Sequence, residues 1–198
     1  MPNQRGTQSL GPAISDGHYG AGILVLSMAT LLLELSLTRV LSVSLWYHFG
    51  FLVVSTALLG FGASGVLLAV WPRLRTEVSL PTALAVLAAL FGVATVASFR
   101  DAQLIPFDPL AVLVDRRQLI TMPFYYLILA VPFFCSGLAL ALLFSKRKHD
   151  IGRLYALDLV GAGAGCAAIS VVMPLAGGSG SIAVCAALGF GAAAIFAG

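Results

Sequence analysis

Residues 21–45 read AGILVLSMATLLLELSLTRVLSVSL. This stretch decides the fold. A helix of about 20 mostly apolar residues crosses the hydrocarbon core of a bilayer, and these 25 residues carry only two charges, Glu34 and Arg39. Ser27, Thr30, Glu34, Thr38 and Ser42 recur at spacings of three and four, so on a helix they form one polar stripe. A stripe of that kind faces a bundle interior or a wet cavity rather than lipid.

Five further stretches have the same character: 49–71, 80–99, 119–144, 155–175 and 181–198. The second stops at Pro72, and the fourth contains Pro123 and Pro132. The composition agrees: 60% of residues are hydrophobic, 10% are charged, and mean hydropathy is +1.01. A soluble domain carries about 25% charged residues, so this chain cannot cover itself with a water-facing surface. Backbone groups in lipid must pair within the segment, and no alternating β-barrel pattern is present. The expected fold is therefore all-α, a polytopic transmembrane bundle of about six spanning helices. Residues 1–20 are polar and read as a disordered cytoplasmic tail, too unlike a signal peptide to be one. Residues 21–198 form the membrane domain.

The connections set the expected orientation. Arg5, Arg73, Arg75, Lys146, Arg147, Lys148 and Arg153 fall on one side, against Arg100, Arg116 and Arg117 on the other. The positive-inside rule places the first side, with both termini, in the cytoplasm. The connection 100–118 holds Asp101, Asp108 and Asp115 around an apolar middle and reads as an external loop or a re-entrant cap. The last stretch ends at Ala197-Gly198 with no polar or aromatic anchor, so the sequence reads as a fragment of a longer protein.

Candidate chemistry is confined to a few residues. Glu34, Arg39 and Asp158 are ionisable groups within spans and are functional candidates by default. Glu34 and Arg39 are five apart, which is not a helical ion-pair spacing, so Arg39 is expected to find a partner on another helix. Two readings stay open. Glu34 and Asp158 hold a cationic ligand or carry a proton, with Thr38 beside them and Tyr47 and His48 at the mouth. Alternatively, the charges pair between helices and fix packing, Asp158 gaining from the positive end of its helix. Gly60, Gly62 and Gly65 in the second span, and Gly161 and Gly165 in the fifth, are read as close helix-packing positions. Cys135, Cys166 and Cys185 lie in apolar runs without a CxxC pair, so no metal site is expected. No cofactor and no nucleic-acid partner is implied. The run Leu157-Asp-Leu-Val-Gly-Ala-Gly-Ala-Gly165 looks like a glycine-rich nucleotide loop, but no acid follows Asp158 to hold a ribose, and that reading is rejected.

Several segments resemble the membrane part of bacterial spermidine synthase-like fusion proteins. They are Leu33-Glu34-Leu-Ser-Leu-Thr38-Arg39, Tyr47-His48-Phe49, Leu59-Gly60-Phe61-Gly62, Pro132-Phe133-Phe134-x-x-Gly137, and Gly152-x-Leu154-Tyr155-x-x-Asp158-Leu159-x-Gly161-Ala162-x-x-Gly165. The resemblance covers roughly residues 25–175. It implies an inner-membrane module that anchors or serves a cytoplasmic Rossmann-like transferase domain, and it brings polyamines into view as solutes. This sequence holds no such second domain, so no catalytic residue is carried over. The sequence alone also admits a small transporter-like bundle for a cation, or a purely structural module.

Overall fold

The computed structural model describes residues 13–45, 50–104 and 116–198. The described residues are all-α, without strands. In chain order the helices are α1 (Ala13–Leu45), α2 (Gly50–Val70), the single turn α3 (Arg73–Thr76), α4 (Leu80–Leu104), α5 (Arg116–Lys146) and, after a 3-10 turn at Lys148–Asp150, α6 (Ile151–Ala197). Five of these helices are long and apolar enough to cross a membrane. Their outward surface is apolar, with Val43, Phe51, Leu58, Val70 and Leu175 all well exposed, as lipid requires and water would not tolerate.

Local chemistry explains the breaks. Proline restricts the residue before it and has no N–H, so α2 ends before Trp71-Pro72 and the chain turns through α3. Pro132 within α5 cannot donate to the carbonyl of Ile128 four residues earlier. That carbonyl instead accepts a hydrogen bond from Ser98 Oγ of α4 at 2.8 Å. A neighbouring helix thus satisfies a backbone group that proline leaves unpaired.

The 47-residue α6 is two helical arms, residues 151–176 and 178–197. They meet at Gly177, whose φ of 70° and ψ of −175° are open essentially to glycine alone. Contacts with α1 show the direction of each arm. Gly20 of α1 lies against Leu157, Gly161 against Leu24, Gly165 against Met28, and Gly178 against Val40. The first arm therefore runs parallel to α1. Yet Gly22 lies against Phe196. A straight helix would separate residues 157 and 196 by roughly 58 Å. Both sit beside the start of α1, so the second arm returns antiparallel.

α1 packs mainly on α6, and α2 packs mainly on α5. α4 joins the two groups by packing on both α5 and α6. The core between them is filled by large buried side chains such as Phe91, Phe133, Leu129 and Ile182. One end of the bundle is laced by cations. Lys146 Nζ donates to the Val78 carbonyl, and the Arg147 guanidinium lies 4.4 Å from the centre of the Tyr19 ring. The start of α1, the α2–α4 connection and the α5–α6 connection therefore share an end, together with Arg73, Lys148 and Arg153.

Some expectations are corrected. Residues 13–20 are helical and continue α1, because Tyr19 and Gly20 find partners in Arg147 and Leu157. α4 and α5 run further into the 100–118 connection than expected, to Leu104 and from Arg116; Asp108, Asp115 and the apolar middle lie outside the described residues. Gly60 packs tightly, a Cβ there lying 2.7 Å from the Ala130 carbonyl oxygen. Gly62 and Gly65 are not packing positions: a Cβ at either would meet nothing within 4 Å, because both are on exposed faces of α2.

Candidate intramembrane site

The polar stripe of α1 divides by how its groups are satisfied. Thr30 donates to the Leu26 carbonyl at 2.8 Å, Thr38 to that of Glu34 at 2.7 Å, and Ser42 to that of Thr38 at 2.6 Å. These hydroxyls bond back onto their own helix and need no other partner. Ser27 is different. Its Oγ donates across to Asp158 Oδ1 on the first arm of α6. The Glu34 side chain, half-buried, has no hydrogen-bond or ion-pair partner among the described residues.

Glycines bring the two walls this close. A Cβ on Gly165 would sit 2.5 Å from the Met28 carbonyl oxygen, and one on Gly161 would overlap that of Leu24. Only glycine lets the arm lie backbone to backbone on α1, which carries Asp158 to Ser27. On the other wall Gly137 plays the matching part: its Cβ would lie 2.7 Å from Phe61 Cδ1 and from Ser64 Oγ. Gly60 of α2, which meets α5, was read from the sequence as a packing position, but Gly137 was not. The signal was a lone glycine in an apolar run, which names no face.

Between the walls lies a cavity of about 430 Å³. Ser27, Thr30 and Glu34 line it from α1, Phe61, Ser64 and Gly65 from α2, Gly137 and Phe144 from α5, and Asp158 and Ala162 from α6. The size falls in the usual range of small-molecule sites, about 300–1,000 Å³. Glu34 and Asp158 both line it, and among the described residues no Lys, Arg or His does. An uncompensated charge in a span costs roughly 2.5–3.5 kcal/mol, so a cation in this cleft gains what the protein does not itself supply.

The remaining sequence candidates fall elsewhere. Arg39 is exposed and has no ion-pair partner among the described residues, so the expected interhelical pair is not found there. It lies six residues before the end of α1, near enough for a long side chain to extend to the interface. Thr38 does not line the cavity, and Tyr47 and His48 lie outside the described residues. Asp158 sits in the second turn of α6, which starts at Ile151, too far along to gain from the helix dipole. Its hydroxyl donor takes that role. Among the described residues no three His, Cys, Asp or Glu side chains gather. Two carboxylates among hydroxyls and phenyl rings suit an organic or monovalent cation better than a transition metal.

No protein-family model, curated protein or solved structure matches the chain. The reading of the site rests on its own geometry.

Proposed function

We propose that this membrane protein binds a small organic cation in the cleft between α1, α2, α5 and the first arm of α6. Glu34 and Asp158 supply the counter-charge, and Phe61 and Phe144 offer ring faces to the ligand. One observation carries the reading: two acids from distant parts of the chain line one cavity that has no cationic side chain among the described residues. In this reading the α6 reversal makes six crossings. The basic end, with both chain ends, lies in the cytoplasm of a bacterial inner membrane. The resemblance to the membrane part of spermidine synthase-like proteins ranks polyamines first among the candidates. It would place a Rossmann-like transferase domain, if one serves this module, at the basic end.

The test is calorimetric binding of spermidine, putrescine and tetramethylammonium to the detergent-solubilised protein. Saturable binding of at least one is expected. Glu34→Gln and Asp158→Asn should each weaken it about ten- to hundredfold, the usual loss for a hydrogen bond to a charged group. Equal affinity in both variants, or binding of none of the three, would leave a structural module as the better account.

A further inference from the structure

We infer that a cation entering the cleft displaces a proton from Glu34. The inference rests on the cation-site reading and adds a coupling to it. The two acids are not equivalent. Asp158 accepts a hydrogen bond from Ser27 Oγ. Glu34 has no donor among the described residues. The cleft that it lines is mostly apolar, with Leu31, Phe61, Leu140 and Phe144 beside the hydroxyls of Ser27, Thr30 and Ser64.

Among the described residues no titratable group of α2 or α5 lines the cleft, and from α6 only Asp158 does. Cys135 and Cys185 are buried away from it. On α1 itself Arg39 is exposed and outside the lining. At the basic end Lys146 is held by the Val78 carbonyl, and Arg147 by Tyr19 and Asp150.

A carboxylate without donor or counter-ion in apolar surroundings is unfavourable, and the group escapes the penalty by keeping its proton. A bound cation removes that reason. The Glu34 O–H bond breaks, the proton leaves to water, and the electron pair stays on the carboxylate that now faces the cation. The proton that leaves offsets one of the positive charges that the cation brings in. Loading the solute is thereby tied to pH.

The experiment is spermidine binding by calorimetry in two buffers of different ionisation enthalpy. The pH is kept well below the amine range of about 10, so that spermidine stays fully charged. About one proton should be released per bound spermidine, and apparent affinity should rise about tenfold per pH unit over the range of release. Infrared difference spectra should show a protonated-carboxyl C=O band that disappears on adding spermidine and is absent from Glu34→Gln. If Glu34→Gln does not fold, Glu34→Asp keeps a carboxyl and should keep the release. Binding without proton release overturns the inference and leaves the cation site standing. Release that persists in Glu34→Gln moves the proton to Asp158 and also overturns it. No spermidine binding at any pH removes the cation site and the coupling together.

Discussion

Single glycines set the distance between α1 and α6. A Cβ on Gly161 collides with the Leu24 carbonyl, a backbone atom that cannot swing aside. Gly161→Val should therefore destabilise the bundle by about 1–3 kcal/mol through overpacking, read as a lower transition in SDS titrations of mixed micelles. Gly62→Val, into open space, should stay within about 0.5 kcal/mol. An unchanged transition for Gly161→Val would mean that the helices are not in backbone contact. This pair also shows what a sequence discloses at this scale. Gly161 and Gly165 repeat at four residues, and their helix presents that face to α1. Gly62 and Gly65 look as promising on paper, but spacing does not say which face of α2 meets a neighbour and which meets lipid.

Helices α5 and α6 each depend on one irregular residue. Pro132 leaves the Ile128 carbonyl unpaired and Ser98 supplies the missing donor. Ser98→Ala should cost about 1 kcal/mol. In a Pro132→Ala background the restored N–H should make the same change nearly neutral, a non-additivity that a double-mutant cycle reads directly. Additive losses would show that the two residues do not share that carbonyl. Gly177 is the second case. At φ 70° and ψ −175° an alanine is strained by about 1–3 kcal/mol, and Gly177→Ala should lower the unfolding transition accordingly. The extent of these elements was legible: apolar runs at 155–175 and 181–198 bracket the reversal, and Pro72 marks the end of α2. The early start of α1 was not legible. Residues 13–20 look like a polar tail until Arg147 and Leu157, far along the chain, give Tyr19 and Gly20 something to pack on.

The whole molecule is two helix groups, α1 with α6 and α2 with α5, joined through α4 and enclosing the cleft. Its polarity is open to test. In a background lacking the native cysteines, single cysteines at Gly17 and Lys148 should react with an impermeant maleimide only from the cytoplasmic face, and one at Ser179 only from the opposite face. Labelling of 148 and 179 from the same side would contradict the crossing of the first arm. The succession of apolar runs foretold which connections share an end, because each spanning run moves the chain to the other side. The cleft was foretold as a stripe on α1 and as one of two open readings that joined Glu34 to Asp158. Its second acid becomes a neighbour through the parallel packing of the first arm, which no local spacing encodes.

That packing also sets a timetable for biogenesis. Ser27 and the aspartate it bonds are 131 residues apart. At about 5–20 residues added per second, on the order of ten seconds pass between the synthesis of the first and that of the second. Until then α2 and α5 can flank the newborn α1, but Ser27 has no carboxylate to receive its hydrogen bond. A nascent chain arrested before residue 158 therefore holds the first wall of the cleft without the last.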